Sequence, residues 1–224
     1  MSTTEDNTQV TEVEAGVGKR QYNIKFTLLR PMLGTVPKDK EIYSTYIASK
    51  ADDLNISAKE TETVPENDDE KAKLEEKGWT GFHKDDEGHF IYSYMIKGFL
   101  KYQAQSLNGI QGVKNLKNKI DRYVHIEEWK IRIPKICDEP LERPLRAETA
   151  QGERIALARS DMTPEGTVLE FTMTVVDEGS TTAGGKAIKE SILRALLDMG
   201  RYKGLGQWRN AGYGSFSYEM EEIK

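Results

Sequence analysis

The order of the periodic segments predicts an α+β domain. Four segments alternate apolar and polar residues as half-buried strands do, and two repeat apolar residues at helical spacing. They follow one another as strand, helix, strand, strand, helix, strand, which is the βαββαβ order of a ferredoxin-like, RRM-like fold. Such a fold packs two helices on one face of a four-stranded antiparallel sheet. RNA-recognition modules stack unpaired bases on the other, open face.

The N-terminal part begins with a tail and the first strand. Residues 1–18 are polar and acidic and lack apolar periodicity, which indicates a disordered tail. Residues 22–29 read YNIKFTLL, with apolar side chains at alternate positions, so they predict a half-buried strand. Pro31 lacks a backbone donor and ends this strand. The remainder, residues 19–224, is predicted to be one domain with two large insertions.

The first insertion covers about residues 38–87. We expect a short helix over 41–51, a polar stretch, and a charged helix over 68–77. Residues 79–82 and 88–92 are expected to pair across the polar turn HKDDEG.

The middle of the chain supplies the first core helix and the second strand. Apolar residues recur on one side of a helix from 94 to 107, and a polar, lysine-bearing linker follows. Residues 123–133 alternate as one long strand, closed by a proline. Residues 134–165 hold four of the seven prolines and show little periodicity, so we interpret them as an ordered but irregular second insertion.

The last third completes the predicted core. Residues 167–176 are rich in β-branched side chains and predict a strand. A loop over 179–185 leads to an amphipathic helix over 186–202, where glycines mark the helix end. A glycine-rich loop follows, and residues 215–220 form the final strand.

Charge is distributed unevenly along the chain. The formal net charge is -5. Residues 52–87 hold thirteen acidic and five basic residues, a balance of -8, whereas residues 88–209 hold nineteen basic and fifteen acidic residues, a balance of +4. Only the local field matters to a bound polyanion, so the basic body is compatible with nucleic-acid binding. Blocks of like charge are also common on ordinary solvated surfaces.

Composition excludes several classes of protein. No apolar run approaches the roughly 18 residues that a membrane-spanning helix needs, and the first residues lack the basic and apolar parts of a signal peptide. Cys137 is the single cysteine, so an intramolecular disulfide is impossible, which fits a cytoplasmic protein. One cysteine and three scattered histidines do not make a zinc site, and we predict neither metal nor cofactor.

The glycine-rich loop reads GLGQWRNAGYGSF over residues 204–216. Glycines let backbone N–H groups approach a phosphate closely, and neighbouring cations and aromatic rings can neutralise phosphates and stack on bases. The residues concerned are Arg201, Lys203, Gly204, Gly206, Trp208, Arg209, Gly212, Tyr213 and Gly214. The alternative is a tight helix-to-strand connection in which Trp208 covers the core. A Rossmann or P-loop motif is excluded, because those loops follow a strand and open a helix.

This loop, with three further stretches, resembles the RAMP superfamily of CRISPR-associated proteins. The spacing G-x-G-x5-G-x-G between the last helix and the last strand is similar to that family's glycine-rich loop. YMIKGFLK at 94–101 is similar to its S-S-[IL]-[KR]-G-x-[IL]-[KR] signature, with Tyr94 and Met95 standing where the signature has serines. The segments 157–176 and 187–202 are similar to its last pre-helix strand and its final helix.

The resemblance implies an RNA-binding protein built on a ferredoxin-like domain, and some members of that family cleave RNA. It implies a guide-RNA-bearing backbone subunit of a CRISPR-type ribonucleoprotein complex, or a stand-alone or mobile-element homologue with another role. Single-stranded RNA, further copies of the chain and other subunits are then the expected partners. On the first helix the resemblance adds Lys97, Gly98 and Lys101 to the RNA-binding residues of the loop.

Two alternatives remain open from the sequence. A structural or interaction protein could keep the fold without binding RNA, which the replaced serines and the acidic insertion favour. A metal-independent endoribonuclease would need a general base and a general acid, for which His83, His89 and His125 are the candidates. Lone histidines are more often structural, so we expect no catalytic residue.

Overall fold

The computed structural model describes most of the chain in four ranges: residues 18–38, 79–149, 152–176 and 188–223. Side chains are described throughout these ranges except at 144–149 and 152–157. Four sequence-based predictions fall outside them: the tail up to residue 17, the helices at 41–51 and 68–77, and the loop at 179–185.

The described ranges contain three α-helices and thirteen strands. The helices are α1 (Ser93–Ser106), α2 (Leu116–Tyr123) and α3 (Glu190–Asp198). Short 3-10 turns occupy Ile110–Gly112, Met199–Arg201 and Arg209–Ala211. The strands are β1 (Lys19–Leu28), β2 (Met32–Leu33), β3 (Val36–Pro37), β4 (Trp79–Gly81), β5 (His83–Asp85), β6 (Gly88–Tyr92), β7 (Val124–Ile126), β8 (Lys130–Ile133), β9 (Leu141–Thr149), β10 (Gly152–Ser160), β11 (Met162–Thr163), β12 (Val168–Val176) and β13 (Phe216–Ile223).

The central sheet has four strands in the order β13-β1-β12-β7, and every neighbouring pair is antiparallel. On β1, alternate side chains from Tyr22 to Leu28 are buried, as the alternating sequence predicts. Phe26 stacks on Phe216 of β13 with ring centroids 3.9 Å apart. These residues share one hydrophobic core with the buried faces of α1 and α3, so both helices cover the same face of the sheet.

The other face of the central sheet is open and acidic. Lys25 lies between Glu170 and Glu219 across the strands, and Asn23 of the same strand faces Glu221. A shallow cleft of about 440 Å³ follows this row. Unpaired bases bind on aromatic side chains beside cations, whereas this row offers three carboxylates and one ammonium. The RRM-like use of the open face that the fold class suggested is therefore not supported by its residues.

Two segments differ from the sequence-based prediction. The predicted strand over 123–133 is divided between β7 in the central sheet and β8 in a three-stranded sheet with β5 and β6. Its break is held by Glu127 and Glu128, whose carboxylates accept hydrogen bonds from the Thr174 hydroxyl and the Thr172 amide of β12. The pairing predicted for 79–82 and 88–92 is formed by β5 with β6 instead, while β4 pairs with β3 and β10.

The second insertion is regular over much of its length. β9 and β10 form a long antiparallel hairpin, with Leu141 opposite Ser160 and Thr149 opposite Gly152. Arginines and prolines interrupt the apolar alternation on these strands, which is why the pattern predicted irregular structure. β10 continues as the parallel partner of β4, so the hairpin is joined to the rest of the molecule through backbone hydrogen bonds.

The molecule is thus a mixed α+β structure with several antiparallel sheets. None of the helices in the described ranges is long and apolar enough to cross a membrane.

Candidate nucleic-acid interface

The glycine-rich loop connects the end of α3 to β13 by packing backbone on backbone. A Cβ on Gly214 would lie 1.9 Å from the Leu205 carbonyl oxygen, and one on Gly204 would lie 2.1 Å from the Gly214 carbonyl carbon. Gly212 and Gly214 have φ angles of 87° and 68°, in the left-handed region that glycine adopts without strain. The inner glycines are therefore required for the loop to close on itself.

The same loop is fastened to the turn between β1 and β2. The Gly214 amide donates to the Pro31 carbonyl at 2.8 Å, and the Gln207 amide donates to the Leu33 carbonyl at 3.3 Å. A Cβ on Gly206 would lie 2.4 Å from that Leu33 oxygen. These amides bond to protein carbonyls, so they do not contribute free N–H groups to an anion-binding nest.

Two aromatic side chains project from the loop. The rings of Trp208 and Tyr213 stack at 5.2 Å with an angle of 10° between their planes. The guanidinium of Arg143, on β9, lies 5.0 Å from the Trp208 ring centre and donates to the Gln207 side chain at 2.9 Å. Trp208 is 45% exposed and has a φ of 51°. Non-glycine residues held in this backbone region cluster at functional sites.

Cations and an exposed tyrosine lie on α1, in the turn after α3 and in the glycine-rich loop. The guanidinium of Arg209 lies 6.0 Å from the ring centre of Tyr102 on α1. Lys203 donates to the side chain of the neighbouring Asn210 at 3.4 Å. Arg201 is exposed two residues earlier in the chain. We call Gly98, Tyr102, Arg209, Lys203 and Arg201 together the cationic band.

Gly98 lies in the middle of α1 on its exposed side, one helical turn from Tyr102. A Cβ at this position would meet no atom within 4 Å. Glycine inside a helix costs about 1 kcal/mol relative to alanine, and no neighbouring atom in the described structure explains that cost. A smooth, side-chain-free patch beside a tyrosine and an arginine is suited to the close approach of another backbone.

The structure separates Lys97 from this band. Its ammonium donates to the carbonyls of Ile120 and Asp121 at 2.8 and 2.9 Å, and also to that of Val124. An ammonium has three N–H groups, and these three carbonyls at the end of α2 engage all of them. Burial lowers the pKa of Lys97 to about 8, against a smaller opposing effect of the Asp121 carboxylate. Lys97 therefore holds α2 against α1.

Lys101 lies on the exposed side of α1 and pairs with Asp121 at 3.0 Å. This ion pair is at the surface and is worth at most about 1 kcal/mol, so it does not prevent a phosphate contact.

Sequence reasoning missed three side chains of this region. Tyr102 is 50% exposed, and its position four residues after Gly98 is the signal that could have found it. Arg143 belongs to a segment without periodicity, so no pattern places it over Trp208. Arg30 donates to the Ala211 carbonyl at 3.3 Å, a contact across 181 positions that the sequence does not encode locally.

The three histidines lie on three different strands and do not form an acid–base pair. His83 is buried between Phe90 and Tyr92, and burial together with the nearby Lys130 ammonium lowers its pKa to about 4. His89 is on the adjacent strand but projects to the opposite face, as its pairing with Lys84 requires. Burial lowers the pKa of His89 as well, and the nearby Lys84 ammonium lowers it further.

Comparison with known proteins places the chain by its fold. No protein-family model matches the sequence, and no curated protein matches it significantly. Among solved structures, a chain of the type III-B Cmr-beta complex bound to cognate target RNA is similar, with a TM-score of 0.52 and 11% identity. The alignment covers 92% of this chain and 61% of that one, so this chain spans about three fifths of its neighbour's length.

A chain of a type IV-B CRISPR complex also matches, with a TM-score of 0.42 and 10% identity over 90% of each chain. At 11% identity, the likeness to the chain of the Cmr-beta complex is one of fold.

Proposed function

We propose that this chain is a RAMP-like RNA-binding protein that acts, without a catalytic step, as a subunit of a CRISPR-type ribonucleoprotein complex. The sheet order supports a ferredoxin-like core: taking β1, β7, β12 and β13 as the first to fourth core strands, the order is 4-1-3-2, with α1 and α3 as the two helices. The likeness in fold to a chain of an RNA-bound complex is compatible with this role.

The observation that carries the proposal is the cationic band beside an exposed, unexplained glycine. Gly98 leaves a bare stretch of helix, Tyr102 offers a half-exposed ring, and Arg209 covers that ring at 6.0 Å. Arginine over an aromatic ring, next to further cations, is the combination that binds unpaired nucleotides through stacking and phosphate neutralisation.

Electrostatics favour this side of the molecule for RNA. The open face of the sheet presents Glu170, Glu219 and Glu221, which repel a polyanion. The band lies instead among the helices and the glycine-rich loop. We therefore place single-stranded RNA, such as a guide RNA, along the band and the Trp208–Tyr213 pair, and other protein subunits elsewhere.

The test is the salt dependence of binding to a fluorescent single-stranded RNA. Replacing Arg201, Lys203 and Arg209 together by alanine is expected to weaken binding and to reduce the slope of log K against log salt by about 2, since three phosphate contacts are lost. The fully folded state of the variant is checked by its melting temperature.

A matched control removes three cations that lie away from the band: Lys19 at the far end of β1, Lys25 on the open sheet face, and Lys189 before the start of α3. This control changes the net charge by the same amount and is expected to keep most of the slope of log K against log salt. An equal loss of affinity and slope in both variants would show a non-specific charge effect and would contradict the interface.

The acidic open face favours a second candidate, an interaction protein that keeps the fold without RNA. Such a protein would bind a basic partner through Glu170, Glu219 and Glu221. Absence of detectable RNA binding by the unmodified protein at low salt would leave this candidate standing and remove the first.

A further inference from the structure

A surface cleft of about 370 Å³ lies between the end of α3 and the start of β13. Its lining combines aromatic, cationic and anionic groups: Asp198, Arg201 and Tyr202 from the end of α3 and the turn that follows, and Phe216, Ser217 and Tyr218 from β13. Arg201, which we group with the cationic band, also lines this cleft. Neither the sequence motifs nor the glycine-rich loop accounts for it.

The carboxylate of Asp198 is held in place by its neighbour across the cleft. The Tyr218 hydroxyl lies 3.2 Å from Asp198 Oδ1 and 3.2 Å from the Arg194 carbonyl oxygen, and these two acceptors share its one O–H hydrogen. Burial, followed by the negative charge of Asp198, raises the pKa of Tyr218, so the hydroxyl keeps its proton as a donor. Asp198 itself is exposed, so the rest of its carboxylate can accept further hydrogen bonds.

The rest of the cleft provides a ring and a cation. Tyr202 is 70% exposed although its side chain is large and aromatic. An exposed tyrosine is a stacking surface for an unpaired base, and the adjacent Arg201 can reach the phosphate of the same nucleotide. A carboxylate in this position repels phosphate but accepts from the N–H groups on the edge of a base.

We propose that this cleft binds one unpaired guanine of the RNA, with Asp198 reading its Watson–Crick edge, Tyr202 stacking on its ring and Arg201 contacting its phosphate. This inference rests on the proposed RNA-binding function and adds to it a preference for base. Guanine presents two adjacent donors on that edge, the N1–H and the 2-amino group, and a carboxylate accepts both. Adenine and cytosine present one amino donor beside an acceptor that repels the second carboxylate oxygen, and uracil presents one imino donor between two carbonyls.

The experiment measures binding of short oligouridine RNAs that carry one central guanosine, inosine, adenosine or cytidine. The unmodified protein is expected to bind the guanosine RNA about tenfold more tightly than the adenosine or cytidine RNA. This is the usual size of the discrimination that a bidentate hydrogen-bonded contact to a base edge provides. Inosine lacks the 2-amino group and should fall between guanosine and adenosine.

Asp198→Asn is the decisive variant. The asparagine oxygen still accepts from Tyr218, while the amide nitrogen replaces an acceptor by a donor, so the preference should move from guanosine to adenosine and cytidine, whose amino donor lies beside a ring acceptor. Glu221→Gln, which makes the same change in charge on the open sheet face, should retain the guanosine preference. Tyr202→Ala should weaken binding to all four RNAs by a similar factor.

The outcomes separate the two proposals. Salt-dependent binding that does not distinguish the four RNAs, or a guanosine preference unchanged by Asp198→Asn, overturns the guanine site and leaves the RNA-binding function intact. Failure to bind any of the four RNAs at low salt overturns the RNA-binding function itself. A variant that has lost its cooperative melting transition is replaced by Tyr218→Phe, which frees Asp198 from its hydroxyl partner and is expected to reduce the same preference.

Discussion

Two glycines of the predicted interface show how differently one residue type can be used. Gly214 has a φ of 68° and no room for a Cβ, because the Leu205 carbonyl oxygen would lie 1.9 Å away. Gly98 has ordinary helical backbone and open space around it. Folding explains the first glycine completely. The second is explained by something that approaches the helix from outside, which we propose to be RNA.

This contrast gives a prediction for alanine at each position. Gly98→Ala should raise the free energy of unfolding by about 1 kcal/mol, since alanine is the better helix former, and should weaken RNA binding. Gly214→Ala should lower the free energy of unfolding, because alanine in this left-handed conformation costs about 1–3 kcal/mol and its Cβ would also clash. Thermal unfolding and RNA titration of the same samples measure both effects.

Gln105→Ala, at another exposed position of α1, is the control for a general effect on the helix. A Gly98→Ala protein that is more stable and binds RNA as before would contradict close approach at this glycine.

His83 predicts a pH dependence of stability. Its pKa is about 4 in the folded protein and about 6.5 in the unfolded chain, so the unfolded state takes up a proton first as pH falls. The contribution of neutral His83 is complete above pH 6.5 and is lost between pH 6.5 and 4, by on the order of 3 kcal/mol. Urea unfolding at a series of pH values measures it.

His83→Phe keeps the contacts with Phe90 and Tyr92 but does not titrate, so its stability should change less over this window. The Arg132 and Lys130 side chains hold the pKa of Asp85 well below its usual range. Protonation of that carboxylate therefore lowers the stability only at pH values below the ordinary pKa of an aspartate. An identical pH profile for the variant and the unmodified protein would show that His83 is not the group responsible.

At the scale of elements, strong periodicity in the sequence was sufficient to predict a helix or strand, and weak periodicity was not. β1, β12, α1 and α3 carry long alternating or helical patterns, and the structure has all four, with α3 shorter than the predicted 186–202. α2 has eight residues with only Leu116 and Ile120 buried, so its pattern reads as a polar linker. The division of the 123–133 strand depends on hydrogen bonds to β12, which lies some forty residues further along the chain.

The candidate site was predictable in composition but not in arrangement. The sequence identifies the glycines and cations of the loop. The Pro31–Leu33 turn that occupies the loop amides, and the Arg143 that covers Trp208, are brought in by tertiary structure from far along the chain. The local sequence pattern therefore indicates which residues compose the candidate interface, while tertiary packing determines which of their groups face outward.

The docking of α2 gives a prediction at this scale. Lys97→Met keeps the aliphatic stem but leaves the carbonyls of Ile120, Asp121 and Val124 without their donor, which should cost about 1–3 kcal/mol of stability. RNA affinity should change little. Chemical denaturation and RNA titration are the two measurements.

Lys101→Met is the matched control, because Lys101 makes only a surface ion pair with Asp121. The reverse result for Lys97→Met, with unchanged stability and a smaller salt dependence of RNA binding, would assign Lys97 to the RNA contact after all.

For the whole molecule, the arrangement of charge divides the surface into two regions. Three glutamates cover the open side of the sheet, whereas the arginines and lysine of the cationic band lie on the side of the helices and the loop. A polyanion and a basic protein could therefore bind at once without competing. The net charge of -5 conceals this division, because it sums regions whose local charge differs in sign.

The position of β1 in the sheet has a consequence for how the chain folds. Both neighbours of β1 come from the last third of the sequence: Lys19 pairs with Val176, and Leu28 pairs with Phe216. During synthesis β1 has neither of its partner strands, and its apolar side chains stay unburied, until β12 and β13 have left the ribosome. Closing loops of this length is slow, and an unpaired apolar strand invites aggregation. We expect the central sheet to form late, and its first strand to need protection until the last one arrives.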